Sequence, residues 1–303
     1  MTAFSAPNTQ LAECGGSLQW TVASDGQRLC YRRWGARQTA DAAVYLHGIA
    51  GHSYWFGGAA TRLAESGITV YGHDRRGSGL NRHFRPGHLS HHRVLLRDIH
   101  HMVRLARQAH PGGRVFLIAG CWGAKAGAVC AARASHMIDG LVLIAPALRT
   151  QVGLPRADLV GVVKSLLTDP RRPFPIPLSP EQYTENSNFR EFIANDAARL
   201  RTATARFYLE TVRIDRLAQQ APPQIVCPTA LFLGGRDAIV NVEGTRSWFD
   251  HVAAPDKTMH IYPSFAHILE FEEDQAEYLR DLTGWLQAHG SSSEAGVSAA
   301  RMH

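Results

Sequence analysis

The sequence predicts an α/β fold with a mainly parallel central sheet, helices on both of its faces and a helical lid insertion. Short apolar runs such as "AAVYLHG" (42–48) and "RVFLIAG" (114–120) alternate with amphipathic stretches of helical length. Apolar runs of this kind are typical of parallel strands that are buried on both faces. The alternation stops over residues 148–222 and then resumes. An insertion at that point is expected to cover the carboxyl ends of the strands, where ligands bind in such sheets.

The first half of the chain supplies most of the predicted elements. Residues 17–35 alternate around a Ser-Asp-Gly turn and predict an opening β-hairpin. Further strands are predicted at 42–48, 68–74, 114–120 and 138–147, and helices at 54–67, 90–110 and 122–135. Because helices separate these strands, parallel pairing with crossover helices is expected.

The second half begins with the insertion, which contains the proline-rich stretch "DPRRPFPIPLSP" and several helical segments. Strands at 229–237 and 257–264 and a last helix at 268–288 follow it. The predicted organisation is a core of residues 17–147 and 223–289, interrupted by the lid at 148–222. The small polar residues of 290–303 predict a disordered tail.

Composition narrows the classes of protein that fit. The chain has 303 residues, a net charge of +6 and five cysteines. The start shows no signal-peptide pattern, and "LVLIAPAL" is too short to span a bilayer, so a cytoplasmic protein without a membrane span is expected. No basic run is interleaved with aromatic residues, which argues against nucleic acid as a partner. The arginine surplus is either a plain surface feature or a match for an acidic partner or anionic group.

Metal binding is not expected from the cysteines and histidines. Cys14, Cys30, Cys130 and Cys227 are widely spaced and are expected to be packing residues. The histidines between 83 and 101 are irregularly spaced and are expected to lie on a solvated loop and helix face.

The candidate nucleophile is Cys121, in "FLIAGCWGAKAG". A strand there turns sharply into a helix among small residues, so the side chain is expected at a strained turn and at a helix N-terminus. The helix dipole and free N–H groups stabilise a thiolate at such a position, and the thiolate is the form that attacks a carbonyl.

Two further strand ends carry the predicted partners of Cys121. Asp237 follows the strand "TALFLGGRD", and His267 lies in the loop before the last helix. The order nucleophile, acid, histidine is the one expected for the triad of this type of fold. Asp237 is expected to orient His267, which in turn serves as the base for Cys121.

Other residues are predicted to complete the site. The backbone N–H groups of Ile49 and Trp122 are predicted to form an oxyanion hole, braced by His47. Tyr54, Trp55 and Phe56 follow the oxyanion residues in the chain and are expected to line an apolar acyl pocket. Two further polar residues, Ser78 and Lys125, are not expected to be catalytic.

Five motifs in order resemble the monoacylglycerol lipase/lysophospholipase group of the α/β-hydrolase fold superfamily. They are "HGIAGHS" for HG-x-G-E-H-S, "GHDRRGSGLN" for D-x-x-G-x-G-x-S/N, "IAGCWGA" where the group has G-H-S-M-G-G, and "GGRDAIV" and "FAHILEFE" for its acid and histidine segments. The likeness covers about residues 25–288, apart from the lid. This chain departs from the pattern in having Ala119 for the first glycine and Cys121 for the serine.

Three interpretations of Cys121 follow: a working nucleophile, an inert thiol in a hydrolase that has lost activity, or an engineered replacement of serine. The intact acid, histidine and oxyanion loop favour the first. In having a cysteine where the group has its serine nucleophile, the chain is similar to carrier-protein acyl and aminoacyl shuttles and to dienelactone hydrolases.

The resemblance and the cysteine together favour an acyl transferase that forms a thioester on Cys121. Its donor would be a CoA or carrier-protein thioester, with phosphopantetheine or CoA as part of the substrate and no resident cofactor. An acidic carrier protein would suit the basic surface. The alternative is a hydrolase of an ester, thioester or lactone that uses the same triad, and a non-catalytic ligand-binding fold is the third hypothesis.

Overall fold

The structure is a computed structural model, which describes residues 15–36 and 39–291. Cys14 and residues 292–303 of the predicted tail lie outside this range. Within it, no helix combines the length and the apolar character that crossing a membrane requires.

An eight-stranded sheet with the order β1-β2-β4-β3-β5-β6-β9-β10 forms the centre of the molecule. Its strands are β1 Ser17–Val22, β2 Arg28–Trp34, β3 Asp41–Leu46, β4 Ile68–His73, β5 Val115–Gly120, β6 Gly140–Ile144, β9 Thr229–Gly234 and β10 Lys257–Tyr262; β7 Pro173–Pro175 and β8 Thr202–Thr204 form a separate two-stranded sheet. The β1–β2 and β2–β4 pairs are antiparallel, and every other pair of the large sheet is parallel. The predicted fold class is confirmed.

Helices cover both faces of this sheet. They are α1 Gly57–Glu65, α2 His92–Ala109, α3 Gly123–Arg133, α4 Arg156–Thr168, α5 Ser187–Asn195, α6 Ala205–Gln219, α7 Val242–Asp250 and α8 Ala276–Ala288. The strands β3, β4, β5, β6 and β9 are buried along their whole length. That double burial explains why their sequences are continuous apolar runs rather than alternating ones.

Residues 148–222 follow β6 and precede β9, which is its neighbour in the sheet. They contain α4, α5, α6 and the small β7–β8 sheet. We call residues 148–222 the insertion; its role as a lid stays a prediction.

Two elements differ from those predicted. No helix was expected between 237 and 257, where α7 lies; the Asn241 side chain caps it by accepting from the Gly244 N–H, and Trp248 and Phe249 bury one face. The last helix begins at Ala276 rather than 268, because residues 269–271 form a separate short 3-10 turn.

Candidate active site

Cys121 lies in the turn between β5 and α3, with a φ of +50°. This left-handed conformation costs a residue other than glycine about 1–3 kcal/mol, so the surrounding structure must impose it. The neighbouring strand end does so: the Cys121 N–H donates to the Ile144 carbonyl at 2.9 Å, and the Cys121 carbonyl accepts from the Ala147 N–H at 2.9 Å. The side chain is therefore held at the carboxyl edge of the sheet.

The glycines around this turn leave the room that it needs. A Cβ at Gly123 would lie 2.6 Å from the His47 carbonyl oxygen, and one at Gly48 would lie 3.0 Å from the Cys121 Cβ. A Cβ at Gly127 would lie 2.6 Å from the Cβ of Ala119. Gly127 thus provides the space for the methyl group that Ala119 adds at the first glycine position of the motif.

The side chains of Asp237 and His267, the two proposed partners of Cys121, lie in contact with each other. His267 Nδ1 lies 2.7 Å from Asp237 Oδ2, and both side chains are buried. The other carboxylate oxygen of Asp237 accepts the N–H groups of Ile239 and Val240, each at 2.8 Å. These bonds fix the carboxylate, which in turn orients the imidazole.

Electrostatics set Cys121 apart from the other described cysteines. Burial raises the pKa of Cys121. The charge of His267, the hydrogen bond from His267 and the hydrogen bond from the Trp122 N–H together lower this pKa by more, so the net pKa lies below the ordinary value. Burial alone opposes ionisation of His267, yet Asp237 and Cys121 hold its pKa well above the ordinary value. Cys121 and His267 each stabilise the charged form of the other, and Asp237 adds to the shift of His267.

The remaining described cysteines show the opposite shift. Cys30, Cys130 and Cys227 are buried and free. Burial raises the pKa of all three, that of Cys130 to about 12. These positions suit the packing role expected for them, because an apolar environment keeps a thiol neutral and unreactive.

The loop that carries Ile49 is fixed by Arg75, a residue with no predicted role. The buried Arg75 guanidinium donates to the Gly48 carbonyl at 2.7 Å and also to the Ile49 carbonyl. His47 Nδ1 lies 2.8 Å from the Gly48 carbonyl, and its Nε2 accepts the Arg75 backbone N–H at 3.2 Å. With their carbonyls bound on one side, these peptides keep a single orientation, as an oxyanion hole requires.

Two cavities meet at Cys121 and Ile49. The histidine cavity has a volume of about 50 Å³ and is lined by Trp55, Tyr183, His267 and Ile268 among others. The apolar groove has a volume of about 490 Å³ and is lined mainly by the insertion. Its apolar side chains include Leu154, Leu159, Val162, Ile176, Leu178 and Val212.

Of the three aromatic residues expected to line an acyl pocket, only Trp55 lines either of these two cavities, and it lines the histidine cavity. Phe56 is fully buried and stacks on Tyr45 with ring centroids 4.0 Å apart. Tyr54 lies under the Arg32 guanidinium, 4.8 Å from its ring centroid. The expectation fails for Tyr54 and Phe56 because consecutive residues of one helical turn face different directions.

The other polar candidates occupy structural positions. The buried Ser78 hydroxyl donates to the Gly51 carbonyl at 3.2 Å. Lys125 is buried and pairs with Asp215 of the insertion, while it lines the apolar groove.

Among the described residues, His91, His92 and Glu210 have potential metal-ligand atoms within 4.8 Å of one another. Glu210 is already paired with Arg206 and Arg213, whose positive charges oppose a metal ion there.

Three residues near the site carried no readable signal in the sequence. Arg75 follows Asp74 in the "GHDRRGSGLN" loop, and only its position under the oxyanion loop reveals what it binds. Tyr183 and Asp196 belong to the insertion, whose sequence has no recognisable motif. Asp196 accepts from His52 at 2.9 Å and from the Trp55 indole at 2.7 Å.

Comparisons with known proteins identify the family of this chain. The family described as Hydrolase_4 (serine aminopeptidase, S33) matches residues 38–274. A monoacylglycerol lipase of Mycolicibacterium smegmatis is 27% identical over 275 residues, 87% of this chain and 94% of that protein. The monoglyceride lipase of Homo sapiens is 25% identical over 258 residues, 84% of each chain.

Solved structures show the same architecture. The monoacylglycerol lipase of Paleococcus ferrophilus superposes with a TM-score of 0.78 at 22% identity, over 87% of this chain and all 100% of the other. A soluble variant of the monoglyceride lipase of Saccharomyces cerevisiae also has a TM-score of 0.78, at 17% identity, over 95% of this chain and 97% of the other. At these identities the likeness concerns the fold.

Proposed function

Because the chain belongs to the Hydrolase_4 (serine aminopeptidase, S33) family of α/β-hydrolases, we propose that it hydrolyses an acyl ester or thioester through a thioester intermediate on Cys121. The relatives named as monoacylglycerol lipases support ester hydrolysis better than acyl transfer. By the same analogy, we take a lipid acyl ester as the first substrate class to test. The apolar groove suits an acyl chain.

The proposed reaction has two halves. The Cys121 thiolate attacks the acyl carbonyl, and the N–H groups of Ile49 and Trp122 stabilise the oxyanion, each by about 3–4 kcal/mol. The C–O or C–S bond to the leaving group breaks as protonated His267 gives that group its proton. His267 then takes a proton from water, whose oxygen attacks the thioester; the carboxylic acid leaves and the thiol is restored.

One observation carries this proposal: Cys121, held in its strained turn, lines the same cavity as His267, which is bound to the buried Asp237, and this histidine lowers the pKa of Cys121. An inert thiol in the same protein, such as Cys130, has its pKa raised by burial. Cys121 instead faces a histidine that a buried carboxylate supports. A cationic partner of this kind activates a cysteine nucleophile.

Acyl transfer is the second candidate, because sulfur stands at position 121 where the family pattern has serine. Exchange of an acyl group between thiols is close to balanced in energy, which suits a CoA or carrier-protein thioester as donor. In this version the acceptor thiol, amine or alcohol replaces water in the second half. The acidic carrier protein remains a proposal that the net charge of +6 favours.

Intact-mass spectrometry tests the proposal. The protein is mixed with 4-nitrophenyl octanoate or octanoyl-CoA, quenched in acid, and examined for an octanoyl increment on Cys121. We expect the increment in the wild type and in Cys130→Ala, and none in Cys121→Ala. Decay of the adduct in water alone identifies a hydrolase, and decay only after an acceptor is added identifies a transferase.

A folded wild-type protein that turns over neither substrate and forms no adduct contradicts the proposal. So does turnover that survives in Cys121→Ala, because the nucleophile would then lie elsewhere.

A further inference from the structure

The histidine cavity is lined by a tyrosine whose buried hydroxyl proton meets no acceptor among the described residues. Tyr183 lines this cavity together with Cys121 and His267, and only 3% of the Tyr183 surface is exposed. Within the described part of the chain its hydroxyl oxygen has no hydrogen-bond partner. A buried hydroxyl without a partner is unfavourable. The position therefore indicates a ligand atom that accepts its hydrogen bond.

Tyr183 is held firmly beside the candidate base. Its carbonyl accepts the N–H of Ile268, the residue after His267, at 2.8 Å. Its ring lies edge-on to Trp55 at 5.7 Å and 6.0 Å from the His267 ring. A residue fixed at both backbone and ring presents its hydroxyl in one place, as a positioning residue must.

The hydroxyl remains protonated throughout the working pH range. Burial raises the pKa of Tyr183 and the nearby Cys121 raises it further, so the pKa lies above the ordinary value for tyrosine despite the opposing effect of Arg199. Tyr183 is therefore a hydrogen-bond donor and not a base. The Arg199 guanidinium lies 5.7 Å from the centre of the Tyr183 ring. A guanidinium can only donate hydrogen bonds, so it supplies no acceptor for the phenol proton.

The atom that Tyr183 meets follows from the two cavities. Under the proposed function, on which this inference rests, His267 gives its proton to the leaving heteroatom. That heteroatom must therefore lie in the histidine cavity, while the acyl chain occupies the apolar groove. We propose that the Tyr183 hydroxyl donates a hydrogen bond to the leaving oxygen of an ester and thereby favours oxygen esters over thioesters.

The preference has a simple chemical basis. The alkoxide oxygen that develops as an ester breaks is a strong acceptor, whereas a thioester sulfur is a weak one. The bond strengthens as negative charge develops on the departing oxygen, so it accelerates acylation of Cys121 rather than substrate binding. Both substrates give the same acyl-Cys121, so the second half-reaction is common to them.

The test compares Tyr183→Phe with wild type on two donors of one acyl chain, ethyl octanoate and octanoyl-CoA, because an alkoxide, unlike 4-nitrophenolate, leaves poorly without a hydrogen-bond donor. Rapid-quench mass spectrometry measures the rate at which the adduct appears. We expect ester acylation to fall about three- to tenfold, the loss of one neutral hydrogen bond, and thioester acylation to change less than twofold. KM for the ester is expected to stay nearly constant while the acylation rate falls.

Tyr262→Phe is the matched control, since its hydroxyl already donates to Asp281 at 2.8 Å outside the site. It is expected to leave the ratio of the ester and thioester rates unchanged. Thermal unfolding gives a second readout: Tyr183→Phe removes an unpaired buried hydroxyl and should melt at or above the wild-type temperature.

The inference is overturned if Tyr183→Phe leaves the ratio of ester to thioester acylation rates unchanged, whether both rates stay at the wild-type value or both fall equally. Either result leaves the adduct on Cys121 intact and spares the proposed function. If wild type forms no adduct with either donor, the proposed function itself fails.

Discussion

At the scale of single residues, the surroundings of Cys121 distinguish it from a packing cysteine. Its backbone is forced into a left-handed conformation, and its thiol faces a histidine whose other nitrogen is bound by a buried carboxylate. Neither feature is needed for a core thiol. Both are needed for a thiolate that is exposed at a strand end and held ready for attack.

The pH dependence of alkylation by iodoacetamide measures the ionisation of the Cys121 thiol. The pKa of Cys121 is lowered, so its thiolate is already present at a pH where an ordinary thiol, with a pKa of about 8.5, is mostly protonated. The ion pair persists as pH rises until it passes the raised pKa of His267. We expect the midpoint of the alkylation rate to lie below that of a free thiol and to move upward in His267→Ala.

Mass-resolved labelling assigns the rate to Cys121 rather than to another cysteine. A wild-type midpoint at or above that of a free thiol would show that His267 does not stabilise the thiolate.

At the scale of elements, the oxyanion loop depends on a side chain from another strand end. Arg75 follows β4 and binds the carbonyls of Gly48 and Ile49 after β3. Its planar fork satisfies both carbonyls at once, which a lysine cannot reproduce. The orientation of the Ile49 N–H is thereby a property of two adjacent strands.

Replacing Arg75 by lysine keeps a positive charge but loses the second carbonyl contact. Since loss of one oxyanion donor costs about 10²–10³ in rate, a loosened Ile49 peptide is expected to lower the acylation rate at least about tenfold. Burst kinetics with 4-nitrophenyl octanoate provide the measurement, and circular dichroism checks the fold. If a folded Arg75→Lys protein is acylated at the wild-type rate, Arg75 does not orient the Ile49 peptide for catalysis.

At the scale of the whole molecule, the insertion is joined to the core next to the site. Asp196 accepts hydrogen bonds from His52 and from the Trp55 indole, both in the segment after the oxyanion loop. Lys125 pairs with Asp215, and His92 with Glu210, across the same boundary. The insertion thus contributes Tyr183 to the histidine cavity and forms most of the apolar groove.

The contribution of Asp196 is expected to depend on pH. Burial raises its pKa, but the bonds from His52 and Trp55 lower it to about 2. A carboxyl whose pKa falls from its ordinary value near 3.9 to about 2 on folding contributes about 2 kcal/mol. This stability is complete above the unfolded-state pKa and is lost as pH falls through the folded-state value.

Chemical denaturation of wild type and Asp196→Asn between pH 7 and pH 2 tests this. The variant is expected to be less stable by about 2 kcal/mol at pH 7, with the difference shrinking below about pH 4. A difference that stays constant down to pH 2 would mean that the charge of Asp196 does not hold the insertion.

Local sequence features determined the fold class and the order of the candidate triad. Apolar runs report burial of strands, and the small residues around Cys121 report a sharp turn, because both constraints act within a few neighbouring residues. The helix α7 and the start of α8 were missed where short helices depend on caps and on burial against distant partners. The position of Trp55 in the sequence was enough to place it near the site. The sequence did not reveal that Tyr54 and Phe56 face away from the two cavities.

The tertiary structure alone decided what surrounds the triad. Arg75 meets Gly48 and Ile49, and Tyr183 meets His267, across chain separations that no local pattern encodes. The division of the site into a histidine cavity and an apolar groove likewise depends on how the insertion packs on the sheet. The sequence by itself determined which groups are present and their order; the structure decided their directions, because a hydrogen bond requires two atoms to meet at about 3 Å.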